Sequence, residues 1–467
     1  MSTGKVYEAK VLELYKKEQI KVKETFSKHA GKISFSVELL REFVSFESFV
    51  CISAHYIDED WKLKKWVLNF FCDSTMDADH PNVVFMKSLK EYGVEGKFLT
   101  FSVRDDAVLY VDDLKEQLQE KSSFLLDGKL FPVLCSSDIV SRVVQKGFEE
   151  IDGIIDKVKT LSWPRLAKPL WYLTTCNLSK AIELKEMGEF SSVEEGGFAE
   201  VPSEEEWGKV KSMCRIADRI YVITKGLFQV EMPTSNLFLP HLQEIRAYLT
   251  QESASSDAFV SLVTQKMLID FNKYWDDMYL LLSIAAFLDP RYKMKFVEFC
   301  LSESEAAVVL ENIYKLYDVY EVQRDQNMYL LGDSSSEEEE DKIGSGKYVM
   351  RKWGNNLKDL NVLKEYCDTV QSKYEPEKSD LELYLEEPVV YWMDNFCALK
   401  WWKENGLKYP RLSKMARDLL AIPVTLVSSY EAFSIEPREV DRSLMSLKPE
   451  VMNAVKCTQS WKSGSKK

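Results

Sequence analysis

Residues Phe49–Phe71, FVCISAHYIDEDWKLKKWVLNFF, decide the fold of this chain. The stretch holds two runs rich in β-branched and aromatic residues, 49–57 and 61–71, and the turn residues Asp58–Asp60 lie between them. Strands joined by so short a turn pair antiparallel. The alternating segment Lys32–Leu40 just before them predicts one more strand, so the sequence predicts an antiparallel three-stranded unit.

Helix and strand patterns continue on both sides of this unit. A charged helix with an apolar stripe is predicted over residues 1–28. The elements predicted after the unit are a helix at Val83–Tyr92, a strand at Lys97–Val103, a helix from Ala107, a short strand in KLFPVL (129–134) and one long helix that carries Val140 to Val158. This order predicts an α+β fold with one mixed sheet.

The pattern becomes helical from about Ser162 to Val370. The acidic segment Gly332–Gly346, GDSSSEEEEDKIGSG, interrupts it and is predicted to be a solvated, disordered loop. Acidic residues follow Ser334–Ser336, which leaves open a phosphorylation site or a loop that only adds solubility. The last helices are predicted within Val389–Gly406 and Arg411–Ser434.

The composition argues against several classes of function. The chain has 467 residues and a net charge of −14, which opposes non-specific binding to nucleic acid, although residues 391–467 carry 13 Lys/Arg against 8 Asp/Glu. No run of about 18 apolar residues occurs, so no membrane segment is predicted. The nine cysteines stand singly, and none of the four histidines is at ligand spacing. We therefore predict reduced thiols, no metal and no cofactor.

Four motifs, taken in order along the chain, resemble the hAT transposase family. They are SAHYIDEDWKLKKWVLNF (53–70), FNKYWDD with LLSIAAFLDPRYKM (271–294), WWKENGLKYPRLSKMARDLLAIPVTLVSS (401–429) and KCTQSW (456–461). The nearest subgroup is the domesticated plant sleeper type, whose members carry a BED zinc finger. The resemblance implies a ribonuclease-H-like mixed sheet with a large all-α insertion and a helical C-terminal dimerisation region.

The resemblance also implies how the chain is divided, and no residues match the BED zinc finger. The implied parts are an N-terminal helix (1–30), the first part of the ribonuclease-H-like core (31–165), the helical insertion with the acidic loop 332–346 (166–375), and the dimerisation region with the last helix of the core (376–467).

Active members of this family hold two divalent metals on three carboxylates, because both the attacking and the leaving oxygen need a cation. The matching positions here are Glu38, Asp105 and Tyr430. Glu38 replaces an Asp, and a solvent-facing residue at a strand end is the alternative interpretation. Asp105 matches, yet it equally suits the N-cap of the helix from Ala107. A neutral phenol at Tyr430 cannot balance a dication.

Neighbouring positions point the same way. Glu431 cannot replace the lost carboxylate, because one residue on a helix is about 100° of rotation. The family's Cys-x-x-His pattern has become Cys135 to Asp138, its upstream His aligns with Pro132, and its Arg-Trp pair aligns with Thr175 and Cys176. We therefore predict no catalytic residues and a pseudoenzyme.

The resemblance assigns the C-terminal segment to dimerisation. The side chains predicted to form the interface are aromatic or aliphatic: Trp392, Phe396, Trp401, Trp402, Tyr409, Leu412, Met415, Leu419 and Leu420. Packing into the core of the same chain is the alternative for these residues, and it stays open here.

Three functions follow from this sequence. The first is a catalytically inactive, transposase-derived protein that forms homodimers, or heterodimers with related hAT proteins. In it, DNA binding by this chain alone is weak, transcription is a possible target, and the location is the nucleus or else the cytoplasm. The second is an active or residual metal-dependent transposase or nuclease. The third is a transposon relic without function.

Overall fold

The structure, a computed structural model, describes most of the chain. The described residues are 3–41, 47–72, 81–104, 111–119, 124–162, 171–190, 200–228, 234–330, 378–393, 396–426 and 442–463. Asp105, Glu431 and Tyr430 lie outside these ranges, as does the predicted acidic loop with Ser334–Ser336.

Five strands and a series of helices build the described part of the fold. The strands are β1 (Ile33–Arg41), β2 (Ser48–Ile57), β3 (Leu63–Cys72), β4 (Phe98–Val103) and β5 (Val133–Leu134). The helices up to the end of the insertion are α1 (Thr3–Lys28), α2 (Pro81–Tyr92), α3 (Val111–Gln119), α4 (Ser136–Glu149), α5 (Asp152–Ser162), α6 (Trp171–Glu186), α7 (Glu204–Phe228), α8 (Phe238–Ser253), α9 (Ala258–Phe287), α10 (Lys293–Cys300) and α11 (Glu303–Leu330). The C-terminal helices are α12 (Asp380–Glu386), α13 (Ala398–Asn405), α14 (Leu412–Leu420), α15 (Arg442–Met445) and α16 (Pro449–Ser463).

The strands form one mixed sheet in the order β3-β2-β1-β4-β5. β1 pairs antiparallel with β2, and β2 pairs antiparallel with β3. β4 runs parallel to both β1 and β5. The predicted α+β fold, with an antiparallel three-stranded unit extended into a mixed sheet, is confirmed.

The alternation of β1 gives the sheet two unlike faces. Ile33, Phe35 and Val37 are buried in an apolar core that α1 and α2 cover. Residues one position along, including Ser36 and Glu38, point to the opposite face, because successive strand residues alternate. A polar row is thus built into the centre of the sheet.

Two predicted elements differ in length from the prediction. The long helix predicted across Val140–Val158 is two helices, α4 and α5. The N–H of Ile151 bonds to the carbonyl of Phe148 at 3.0 Å, so α4 ends in a tighter turn. Both of these side chains are buried in the same core, which the change of direction permits. The fifth strand covers only Val133–Leu134 of the predicted segment.

The helix predicted over Val389–Gly406 is wrong for its first half, since α13 begins only at Ala398. The chain before it is held away from a helical path, because the N–H of Val390 donates to the carbonyl of Pro290 at 2.8 Å. The helix predicted over Arg411–Ser434 ends at Leu420 within the described residues.

One large apolar core connects the insertion with the C-terminal segments. Its buried members run from α4 through α7, α8 and α9 to α14 and on to Val424. This core crosses the implied boundaries near 165 and 375, and those boundaries stay predictions. No helix in the described ranges has the length and apolar character needed to cross a membrane.

Buried carboxylates connect helix α11 to the C-terminal part of the chain. The Tyr320 hydroxyl donates to Asp418 Oδ2 at 2.7 Å, and the N–H of Lys32 donates to Asp418 Oδ1 at 3.0 Å. Burial raises the pKa of Asp418 to about 7. The hydroxyl of Tyr317 donates to Asp380, which also accepts the N–H of Leu412 at 3.0 Å.

Helix α16 covers the edge of the sheet. Ser460 Oγ accepts a hydrogen bond from the N–H of Val67 at 3.0 Å. The indole N–H of Trp461 donates to the carbonyl of Val67 at 2.9 Å. Asn453 Oδ1 accepts the N–H of Phe70 at 3.0 Å. An uncovered edge strand would invite pairing with another chain, and these side chains occupy its hydrogen-bonding groups. The motif KCTQSW therefore has an intramolecular role.

We predict that Ser460→Ala lowers the free energy of unfolding by about 1–3 kcal/mol, because the N–H of Val67 would then be left without its acceptor. Urea denaturation followed by circular dichroism measures the change. Gln459→Ala is the matched control, since this neighbouring side chain is exposed. Equal stability of the two variants would contradict the role of Ser460.

Candidate functional site

Glu38 lies on the polar face of β1 and is only 2% exposed. Its Oε1 accepts from the Lys65 ammonium of β3 at 2.6 Å, and the Ser36 hydroxyl lies 3.5 Å away. The alternative of a solvent-facing glutamate at a strand end is therefore wrong. A buried carboxylate needs a partner of this kind, because an isolated ion is strongly disfavoured in the interior.

A neutral histidine lies beside this ion pair. His55 Nε2 is 2.8 Å from the Ser36 hydroxyl. Burial lowers the pKa of His55 to about 3; the charge of Lys65 acts in the same direction, and that of Glu38 opposes it. The imidazole is thus uncharged at neutral pH, and the charges that face each other in this row are those of Glu38 and Lys65.

The C-terminal end of β4 lies beside the middle of β1, with Val103 in register with Val37. The next residue, Arg104, forms an ion pair with Asp138 at 3.2 Å. Asp138 is the position at which the family's Cys-x-x-His pattern has lost its histidine. Arg104 directly precedes Asp105 in the sequence, and Asp105, the second of the predicted carboxylate positions, lies outside the described residues.

The segment before Tyr430 runs along the same end of the sheet. The Ser102 hydroxyl donates to the carbonyl of Pro423, and the N–H of Ser136 donates to the carbonyl of Val424 at 2.8 Å. Cys135 Sγ accepts the N–H of Leu426 at 3.3 Å, and burial raises the pKa of this thiol. Residues 423–426 are thus fixed against the ends of β4 and β5.

The other positions predicted to differ from the family pattern are Thr175, Cys176 and Pro132. The Thr175 hydroxyl is buried and donates to the carbonyl of Trp171 at 3.0 Å within helix α6, and Cys176 next to it is exposed. Pro132 follows a cis peptide bond just before β5. Among the residues with described positions, no group of three or more His, Cys, Asp or Glu side chains is placed to hold a metal ion.

Most of the predicted dimerisation residues are covered by the chain itself. The six buried side chains are Trp402, Tyr409, Leu412, Met415, Leu419 and Leu420. For example, the Trp402 indole N–H donates to the carbonyl of Leu288 at 2.8 Å. Within the single chain, these six side chains therefore pack into the core, which is the alternative that the sequence left open. Phe396 and Trp401 are half-buried, and Trp392 is mostly exposed.

A buried ion pair within the motif LLSIAAFLDPRYKM, to which the sequence analysis assigned no role, holds the segment that carries Trp392. Asp289 is fully buried and binds the Arg291 guanidinium through both oxygens, at 2.7 and 3.0 Å, while the Asn236 amide donates to Asp289 at 2.6 Å. The guanidinium carbon lies 4.8 Å from the Trp392 ring centroid and 4.6 Å from that of Phe396. The only signal in the sequence was an Asp-Pro-Arg turn directly after a long apolar helix.

Lys293, two residues after Arg291, also binds the segment that leads to Trp392. Lys293 is buried, and its ammonium donates to the carbonyls of Tyr384 at 2.7 Å and Glu387 at 3.0 Å. Burial lowers the pKa of Lys293 to about 8. Its backbone φ is 49°, in the left-handed region that side chains other than glycine rarely adopt. The turn DPRYK thus fixes residues 384–393 and Phe396 against the insertion.

An exposed group of large side chains, here called the aromatic surface, results from this arrangement. Its members are Phe299 (84% exposed), Tyr391 (90%), Trp392 (65%) and Met393 (55%). Trp392 connects to Phe299 through ring contacts of Tyr292 and Phe296. Neighbouring exposed aromatic side chains of this size commonly mark an interaction site.

Comparisons with known families agree with this architecture. The model described as hAT family C-terminal dimerisation region matches residues 380–462. The model of the hAT-like transposase, RNase-H fold, matches residues 236–320, and the ZBED1 RNase-like domain matches residues 44–130. The aromatic surface therefore lies mainly within the first match.

Similar proteins come from plants. The zinc finger BED domain-containing protein RICESLEEPER 2 of Oryza sativa subsp. japonica is 29% identical over 97% of this chain and 68% of its own length. DAYSLEEPER of Arabidopsis thaliana, also a zinc finger BED domain-containing protein, is 29% identical over 88% of this chain and 61% of its own length. A putative AC transposase of Zea mays is 25% identical over 98% and 60%. The chain thus spans about three fifths to two thirds of these relatives.

The sheet order, the helical insertion and the return of the last helix to the sheet define a ribonuclease-H-like α+β protein with a C-terminal dimerisation region. The chain is thus similar, over most of its length, to hAT transposase-derived proteins, among them zinc finger BED proteins of the sleeper type.

We predict that Arg291→Met lowers the free energy of unfolding by about 3–5 kcal/mol, because Asp289 would remain buried without its cation. Chymotrypsin should also cleave faster at Tyr391 and Trp392, since the guanidinium that holds this segment would be gone. Arg291→Lys should be intermediate, as it keeps the charge but loses the paired hydrogen bonds.

Lys295→Met is the control for Arg291, because this exposed residue of α10 is close in sequence and loses the same charge. Both variants would be compared with the parent chain by urea denaturation and by the rate of cleavage. If the two behave alike, the ion pair does not hold the segment.

Proposed function

We propose that this protein is a transposase-derived protein that acts by binding a second copy of itself and does not cut DNA. The observation that carries the proposal is the aromatic surface, which lies in the segment matched by the dimerisation model and is left open by the chain's own packing. Six of the nine residues first assigned to dimerisation are engaged internally, so the interface is proposed to centre on Trp392 instead.

A second copy suits this surface for a physical reason. In a dimer with two-fold symmetry, the same patch meets itself, so aromatic side chains on one copy find aromatic partners on the other. The buried centre of such an interface is enriched in Trp, Tyr, Phe and Met, which are the types found here. Arg291 fixes Trp392 beforehand, which reduces the entropy lost on association.

The loss of catalysis is proposed from the carboxylate positions. Tyr430 cannot supply charge to a metal, and the Glu38 carboxylate is already bound to Lys65. Heterodimers with related hAT proteins would form through the same surface. The relatives are named as zinc finger BED proteins, so DNA association of this chain in the nucleus is proposed to come mainly through such partners, with an effect on transcription.

We predict that the parent chain is a dimer at tens of micromolar and that Trp392→Ser with Tyr391→Ser shifts it to monomer. Losing two central aromatic anchors should weaken the dimer by about 100-fold or more. Size-exclusion chromatography with multi-angle light scattering measures the mass.

Met187→Ser is the matched control, because this side chain is also 70% exposed but belongs to the insertion. Phe299→Ser, at the far end of the aromatic surface, should weaken the dimer less than the double change. A parent chain that stays monomeric, or a double variant that stays dimeric, would contradict the proposed interface.

We predict that the protein does not nick supercoiled plasmid in Mg²⁺ or Mn²⁺, because the three-carboxylate set is incomplete. Gel electrophoresis of the plasmid over time measures nicking. Glu38→Gln with Asp105→Asn is the control for contaminating nucleases, which would act equally with either preparation. Nicking by the parent chain that this double variant abolishes would favour the active-enzyme alternative.

A further inference from the structure

The hAT fold implies divalent metal at the carboxylate on its first strand, and the residues present here do not fit it. Glu38 is at that position and is buried, but its Oε1 already bonds to an ammonium at 2.6 Å. A divalent ion would need the same carboxylate, with its oxygen at a distance of about 2.0–2.6 Å. The ammonium and the ion therefore compete for one anionic group.

The lysine that supplies this ammonium is held in place from two sides. Lys65 lies on β3 opposite His55, whose imidazole is neutral and adds no negative charge to the row. Its own carbonyl accepts the Ser460 hydroxyl of α16 at 3.3 Å. The Lys65 side chain is 29% exposed and the Glu38 side chain 2%, so the lysine is the more accessible member of the pair.

A second cation stands at the neighbouring strand end. Arg104 binds Asp138 at 3.2 Å, directly before the position of the second family carboxylate. The described end of the sheet therefore pairs each of these carboxylates, Glu38 and Asp138, with a cation from the chain itself. Such pairing lowers the local negative potential that would attract a dication.

We propose that Lys65 is the resident cation of Glu38 and excludes divalent metal from this carboxylate. The inference rests on the proposed function, because the position of Glu38 is taken from the transposase relationship. It adds a cause to the loss of catalysis: besides the missing third carboxylate, the first one is occupied. It also assigns a role to Glu38, as half of an ion pair that lets the polar row of the sheet be buried.

Mn²⁺ binding to four chains tests the proposal: the parent, Glu38→Gln, Lys65→Met, and Lys65→Met with Glu38→Gln. Electron paramagnetic resonance measures the concentration of free Mn²⁺. The parent is compared with Glu38→Gln, and Lys65→Met with the double variant. Because the two chains of each comparison differ only at residue 38, weak binding by acidic segments elsewhere cancels from the difference. We expect equal binding by the parent and Glu38→Gln. We expect Lys65→Met to bind about one ion more than its double variant, since the ammonium would no longer compete with the ion for the Glu38 carboxylate.

Two results would overturn the proposal. One is stronger binding by the parent than by Glu38→Gln, which would place metal at Glu38 despite the lysine. The other is equal binding by Lys65→Met and the double variant, which would mean that Lys65 is not what excludes the ion. Lys65→Arg keeps the cation and should match the parent.

Folding of each variant is checked by circular dichroism, because Lys65→Met removes the cation that is paired with a buried carboxylate and should lower the Tm by about 5 °C. If Lys65→Met does not fold, Lys65→Gln is used in its place. The outcome is separable from the proposed function: a parent chain that holds Mn²⁺ on Glu38 without nicking plasmid overturns only this inference, whereas nicking or a monomeric state contradicts the proposed function.

Discussion

A carboxylate that leaves water must be given a hydrogen-bond donor or a cation, and this constraint organises the described structure. Four carboxylates meet it in different ways. Glu38 is paired with Lys65 inside the sheet, and Asp289 with Arg291 at the end of α9. Asp380 and Asp418 receive tyrosine hydroxyls of α11 and backbone N–H groups from other segments. The bonds of Asp380 and Asp418 fasten the C-terminal segments to the insertion, and the bond from Lys32 to Asp418 connects them to the start of the sheet.

The C-terminal region consequently has two kinds of residue. The larger group completes the monomer: α14 fills the main core, and α16 binds the edge of β3 through Ser460 and Trp461. The smaller group faces outward around Trp392, on a segment that Arg291 and Lys293 hold in a non-helical path. A region matched as a dimerisation region is thus also needed for folding of the single chain. Truncating it would remove both properties, and point changes on the aromatic surface are what separate them.

The polar row of the sheet gives Glu38 a meaning that its position in the family alone does not. On a strand end in solvent, it would be a ligand that lost its companions. Buried beside a neutral His55 and bonded to Lys65, it belongs to a closed electrostatic arrangement. Opening Glu38 to a metal ion requires removal of this cation, and two-metal catalysis would also need the carboxylate that Tyr430 does not supply. The two proposals of this article, association through Trp392 and exclusion of metal by Lys65, rest on separate parts of the molecule.

Local sequence determined the elements whose pattern is repetitive: the antiparallel unit around Phe49–Phe71, α1, α2 and the helices of the insertion follow from alternation or helical periodicity. Motifs indicated the family and predicted that Glu38 and Tyr430 stand at altered carboxylate positions. Only the tertiary structure decided that Val389–Met393 is not helical, that Leu412 and Met415 belong to the core, and that Lys65 reaches Glu38 from a strand two places away. The reason is physical: periodicity reports contacts between near neighbours in the chain, whereas the pairing of Glu38 with Lys65 and the face left to solvent depend on segments tens to hundreds of residues apart.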